Sequence, residues 1–487
     1  VQEKSLDRAN YKITFVVLLL GVTAYALLLS MVFPALPSIQ RSLGISESTA
    51  TWVLTIYLLS ASIFTPIIGR VGDKVGKERM LVFALGALGV GSVVAGLSSS
   101  IGLLLVGRVI QGIGGGVLPL SFGIIRDEFP EERVGFAVGF ASALLAAGSG
   151  LGMILAGPII THLNYHFLFW IPLAMVVPAA IMAKLFVPES PVRTPGKISW
   201  TAAVLLSAWL VALLVAVSEA PEWGWGSARI LGLFALAVVF GICWSVYEFR
   251  SEHPLIDMRM MQARPVWTNN LAAFLIGIGM YASGVVIPEM LQAPRSTGYG
   301  FGASIIGSSL YMLPQTVLMF VFGLCSGSIS NRIGSKTTLV IGISSSAVGY
   351  GLLAVLHPAP PEIIAAGCLL GIGIGLAFSA LAHLIVQAVP DTQTGVASGM
   401  NANIRTIGGA IGSAIVASVL ASAALASGLP KEVGYAWSFG FMALSALAGA
   451  LVALFLVPKP EEDFVDEHAH MIHAEIAIVP GATIFDR

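Results

Sequence analysis

Arg108 and Arg405 carry a formal charge deep inside otherwise apolar runs, and Glu289 carries one towards the end of its run. A charge in hydrocarbon is costly, and where one persists it faces a cavity, a relay or another helix rather than lipid. Arg108 sits in "GRVIQGIGGG" with Gln111 one turn on. The pair reads as marking a cavity or relay, or as an arginine that only ties helices together through backbone carbonyls. Arg405 lies about eleven residues into its run, near mid-depth at about 1.5 Å per residue, with Asn401 a turn earlier and Asn403 between them. Joined by Tyr311 and Gln315 from another run, these residues supply polar groups suited to holding a solute; ordinary interhelical hydrogen bonding is the plainer alternative for each uncharged one. Glu289, in "VVIPEMLQ", falls near the end of its run and reads either as an interfacial carboxylate or, if a bend at Pro288 buries it, as a proton carrier.

The elements that position these groups follow from composition. The chain of 487 residues is 56% hydrophobic and only 10% charged, which leaves too much apolar surface for a fold in water. Fourteen apolar runs are long enough to cross about 30 Å of hydrocarbon with about 20 residues each. The first two cover 12–33 and 50–69, and the first is read as a retained span, not a cleaved leader. The expected fold class is therefore an all-α integral membrane protein. Cys243, Cys325 and Cys368 all lie inside apolar runs and suggest no disulfide chemistry. The glycine clusters at 112–116 and 371–375 lie mid-run with no preceding strand and no lysine in place, so they are not phosphate loops, and ATP-driven transport is excluded. No cofactor, no metal and no nucleic-acid partner is expected of a chain with net charge −1. The acidic tail with His468, His470 and His473 has a metal-like spacing but reads better as a solvated tail.

Most of the 25 Lys and Arg fall in alternate loops, against Arg41, Arg229, Arg295 and Lys431 on the other side and Arg108 and Arg405 within runs. That asymmetry sets the amino terminus, the carboxyl terminus and "GRVGDKVGKERM" (Gly69–Met80) in the cytoplasm. Gly69, Gly72 and Gly76 allow close approach and a tight turn, while Lys74, Lys77 and Arg79 hold the segment, read as a loop, at that face. The chain also repeats itself. "GRVGDKVGK" at Gly69 returns as "GSISNRIGS" at Gly327, and Gly135, Gly139, Gly148 and Gly152 return as Gly395, Gly399, Gly408 and Gly412. Such duplication predicts two six-helix bundles with pseudo-twofold symmetry plus two inserted helices. The expected divisions are 1–190, an inserted pair with linkers over 191–264, a second bundle over 265–457, and a cytoplasmic tail over 458–487.

On the "GRVGDKVGKER" segment, "GRVIQGIGGG", "WVLTIYLL", "EFRSEHPLIDMRM" and "NANIRTIGGAIG", the chain resembles the Major Facilitator Superfamily and, within it, the fourteen-span drug:proton antiporters. The resemblance runs to about residue 457. It implies a monomeric exporter of lipophilic or amphipathic small molecules in the plasma membrane, coupled to protons, working by alternating access and not an enzyme. It also implies that Gly69, Arg70, Gly72, Asp73, Gly76, Lys77 and Arg79 gate the inner face, with the Asp73 carboxylate meeting the positive N-terminal end of span 13 near Thr394. Gly148, Gly152, Gly157 and Pro158 stand where the family's antiporter-linked packing motif lies, with Met153 in place of its proline. Leu28 stands where many members carry an aspartate. With so few membrane carboxylates, neutral or anionic solutes suit the chain better than cations, and a facilitator or importer of an organic anion is the alternative; a membrane-embedded sensor or enzyme would need a catalytic cluster or sensory domain that is not found.

Overall fold

The computed structural model describes residues 11–190, 199–252, 254–355, 360–423 and 429–458. Among them fourteen helices are long and apolar enough to span a bilayer: α1 (Tyr11–Leu43), α2 (Thr49–Val75), α3 (Lys77–Gly96), α4 (Ile101–Glu128), α5 (Glu132–His162), α6 (Phe167–Phe186), α7 (Trp200–Trp223), α8 (Ala228–Arg250), α9 (Arg264–Gln292), α10 (Ile305–Ile333), α11 (Ser335–Val355), α12 (Pro360–Gln387), α13 (Thr394–Ser422) and α14 (Glu432–Phe455). Large apolar side chains remain exposed on the outer surfaces of these helices, for example Leu231, Leu236, Val238 and Ile242 of α8. That surface suits lipid, where a helix satisfies its own backbone groups.

The packing follows the repeat. In the first half α1 packs on α5 and α6, α3 on α4 and α6, and α2 on α4. The second half reuses the same pairings eight spans later: α9 with α13 and α14, α11 with α12 and α14, and α10 with α12. Small residues allow the close approaches. A Cβ added to Gly148 of α5 would lie 2.8 Å from the Ala26 methyl of α1, and Gly152 faces Ser30 a turn further along. Gly408 and Gly412 of α13 lie against the carbonyls of Phe274 and Ile278 of α9 in the same way. The halves meet through α2 with α13, α5 with α10 and α12, and α4 with α13. Of the inserted pair, α7 packs on α13 and α2, while α8 leans chiefly on α7, where Trp209 and Trp244 stack at 5.8 Å. Trp225, in a segment that reads as an interfacial anchor, also donates to Ser418 Oγ of α13 at 2.8 Å and so ties the inserted pair to the second half.

Three expectations are corrected. Gly69–Val75 is not a loop: it forms the last two turns of α2, and the reversal is made by Gly76 alone, at φ 130°. A left-handed φ of that kind is open to glycine and costly for other residues. Lys77 is not a solvated positive charge at the membrane surface but is fully buried. The first span does not stop at Pro34; it continues through a 3-10 turn at Phe33–Ala35 into Leu36–Leu43. Proline is tolerated at the first positions of a helix, where its missing N–H has no partner to lose. Apolarity marks where hydrocarbon ends, whereas a helix continues as long as its backbone and charged ends find partners. The tail histidines and 191–198 of the linker lie outside the described residues.

Candidate functional site

A chamber lies where the halves meet, lined by α1, α2, α4 and α5 from one side and α9, α10, α12 and α13 from the other. Gln315, Asn403 and Arg405 are in its wall, with Tyr25 and Tyr281. Among the described residues Arg405 is the only charged one of the lining. Its guanidinium lies 4.1 Å from the centre of the Phe378 ring, and its Nε has no hydrogen-bond partner. Both amide atoms of Asn403 are likewise buried and unpartnered.

The chamber runs into a funnel that shares Phe33, Met153, Gly284 and Met312 with it and is bounded by the end of α1, the start of α2, the end of α9 and the start of α10. Glu289 stands in this funnel, exposed, with Tyr435 Oη 3.3 Å from its Oε1. It is therefore separated from the chamber lining.

The opposite end is shut. Asp73, 1% exposed, accepts a hydrogen bond from the Val396 backbone N–H in the first turn of α13 at 3.2 Å. Helix N-termini present unpaired N–H groups and a partial positive charge, so a carboxylate there is favourable by about 0.3–2 kcal/mol according to burial. A Cβ on Gly69 would sit 2.7 Å from the Gly395 carbonyl oxygen, which is how closely α2 and α13 approach. Lys77 Nζ is 2.6 Å from Asp127 Oδ2 and 3.8 Å from Asp73 Oδ1, and Ser190 also donates to Asp127. Beside this cluster Arg126 Nη1 donates to Val386 O at 2.5 Å, Val389 O at 2.8 Å and Thr394 Oγ1 at 2.8 Å, clamping the end of α4 to the α12–α13 connection. Arg70 Nη2 reaches Pro254 O at 3.1 Å, bringing the segment before α9 onto the same face. Arg79 pairs with Glu189 at 2.9 Å on the exposed rim, where an ion pair contributes little.

A family model described as the Major Facilitator Superfamily matches residues 18–413 and again 270–479. The chain belongs to the Major Facilitator Superfamily. Its relatives there include the tetracenomycin C resistance and export protein of Streptomyces glaucescens, 27% identical over 82% of this chain and 74% of that protein. Multidrug resistance protein 3 of Bacillus subtilis is 27% identical over 83% and 78%, respectively. The uridine/deoxyuridine transporter of Lactococcus lactis subsp. cremoris is 26% identical over 84% and 87%. Among solved structures, the human organic anion transporter MFSD10 (TETRAN) superposes with a TM-score of 0.64 over 92% of this chain and 99% of that one; at 15% identity the likeness shows the shared fold.

Within this superfamily fold the remaining motif residues are placed as follows. Arg108 is fully buried outside the chamber lining. Its Nε donates to Val53 O at 2.9 Å, its Nη1 to Leu28 O at 3.2 Å and to Gln111 Oε1 at 2.8 Å, and its guanidinium stacks 4.0 Å from the Tyr57 ring centre. Gln111 passes the chain on to Ser92 at 2.9 Å. Arg108 thus takes the backbone carbonyl of Leu28, the residue read above as standing in place of an aspartate. Asn401 and Tyr311 are corrected: neither lines the chamber. Asn401 donates to Asn270 Oδ1 of α9 at 2.9 Å, and Tyr311 packs on Phe301, ring centres 5.8 Å apart. Met153 lines both chamber and funnel, and Gly157 faces Ile305 and Ile306 of α10. Arg126 and Asp127 are functional candidates that the sequence reading passed over. Their signal was in the repeat: their counterparts in the second copy are Val386 and Gln387, so this pair of charges is confined to one half.

Proposed function

We propose that the protein is a secondary active transporter of the drug-efflux type, moving small lipophilic or amphipathic molecules across the bilayer by alternating access of the chamber. The observation that carries this reading is the asymmetry of access: one chamber between two repeated bundles, continuous with a funnel at one end and shut by Asp73, Gly69 and Arg126 at the other. The positive charge of the shut face assigns it to the cytoplasm, so this arrangement is outward-open. The bundles over 1–190 and 265–457 rock about the chamber, while the pair over 191–264 rides on the α2–α13 seam. Export driven by proton antiport fits the export and multidrug-resistance relatives, in a plasma-membrane monomer. Glu289, reached from the funnel, is then the carboxylate best placed to take a proton from outside.

Everted membrane vesicles with an imposed proton gradient test this: accumulation of a lipophilic fluorescent solute should collapse with the gradient and with Glu289→Gln. A facilitator of organic anions is the second reading, favoured by a chamber with an arginine and no carboxylate. Movement that merely equilibrates and ignores the gradient would select it.

A further inference from the structure

We infer that the chamber holds a docking site for the anionic group of an aromatic or amphipathic organic acid, formed by Arg405 with Asn403. The inference rests on the transporter reading and names its substrate class. The two intramembrane arginines show what distinguishes a structural guanidinium from one awaiting a ligand. Arg108 directs its Nε and Nη1 to Val53 O, Leu28 O and Gln111 Oε1, and only its Nη2 is left without a partner. Arg405, 6% exposed and in the chamber wall, makes no hydrogen bond or ion pair among the described residues and lies over the face of Phe378. A ring face is a weak partner for a desolvated cation compared with an anion that accepts its N–H groups. Leaving such a charge buried and unpaired is unfavourable, and leaving the amide of Asn403 without partners adds to the cost.

Among the described residues no carboxylate lines the chamber to supply the missing counter-charge. Asp73 and Asp127 are held around Lys77 at the shut face, and Glu289 stands with Tyr435 in the funnel. The acceptor must therefore arrive with the solute. Its body would rest against Met153, Met280, Met312 and Met319, whose flexible thioethers fit ring systems of different outline. An anionic group on Arg405 also lowers the cost of closing the chamber on both sides. The loaded chamber would then pass through the occluded state more readily than the empty one, which couples movement of the bundles to cargo.

The test uses three probes of the same shape, naphthalenesulfonate, naphthylmethanol and naphthylmethylammonium, binding to the full chain in lipid nanodiscs. The sulfonate should bind about tenfold more tightly than the cation, with the alcohol between them. Arg405→Gln should abolish that order, Arg405→Lys should keep it, and Asn403→Ala should weaken the sulfonate alone. Equal binding of all three probes, or an order unchanged in Arg405→Gln, overturns the anion site. Transport is read separately in vesicles. Charge-selective binding without movement of the sulfonate would fail the transporter reading and leave the site standing, whereas movement of all three probes without preference would do the reverse.

Discussion

The two copies of the repeated segment close the same end of the molecule by different means. In the first, Gly69 and Asp73 meet the start of α13 with Lys77 beside Asp73, and the contact is made of charge: a carboxylate on a helix N-terminus, a buried lysine between two aspartates, and an arginine clamp. In the second, the equivalent positions are Gly327, Asn331 and Ser335. Asn331 is exposed, and the seam of α10 and α12 with α5 is held by small residues and by Ser379, which donates to Gly139 O at 2.9 Å and Gly323 O at 3.1 Å. Both copies keep the turn glycine, Gly76 at φ 130° and Gly334 at φ 85°. Duplication thus preserved the backbone device and let the electrostatics diverge. One seam is held largely by charge; the other is held by close packing and a serine hydroxyl.

The largest test of that contrast is Lys77→Met against Ser335→Ala. Removing Lys77 strands Asp73 and Asp127 in a buried site and should cost about 3–5 kcal/mol, seen as a large fall in thermal stability of the detergent-purified protein, whereas Ser335→Ala should cost about 1 kcal/mol or less. Equal effects would break the comparison. Next comes Gly69→Ala against Gly327→Ala. At Gly69 the new methyl meets a backbone oxygen at 2.7 Å and must push α2 from α13, while at Gly327 the nearest atom is the Phe136 Cα at 3.6 Å. Overpacking of that kind costs about 1–3 kcal/mol, so a cysteine in the chamber should become reactive to an impermeant maleimide from the latched side in the first variant only. Asp73→Asn should weaken the latch by about 0.3–2 kcal/mol, a shift of roughly 2- to 30-fold in the population open at that end and a matching loss of transport, with membrane insertion intact. The smallest effect belongs to Ser379→Ala, worth about 1 kcal/mol for its hydrogen bonds and visible only as slightly faster opening of the second seam.

Much of this was legible beforehand because the relevant physics is local or periodic. Span number follows from runs of apolar residues, the two bundles from the return of Gly135–Gly152 as Gly395–Gly412, and the meeting of Asp73 with the start of α13 from the family resemblance. Lys77 was misread because a lysine beside the membrane has the same sequence signature whether it faces water or two aspartates; its partner Asp127 is 50 residues away. Asn401 and Tyr311 were misassigned for a related reason. Being one turn from a chamber residue says that a side chain is on roughly the same face, and the neighbouring helix decides whether that face opens on a cavity or on Asn270.

The sequence by itself determined the solvent in which this chain folds, the number of crossings and the duplicated plan, since each depends on transfer free energies and spacings carried within single helices. Tertiary structure alone decided which arginine is held by acceptors and which has none. Arg108 finds carbonyls 55 and 80 residues away, on α2 and α1, while Arg405 finds only a ring and open space. A guanidinium is stable or reactive according to the acceptors within about 3 Å of it, and those are set by how distant helices are brought together.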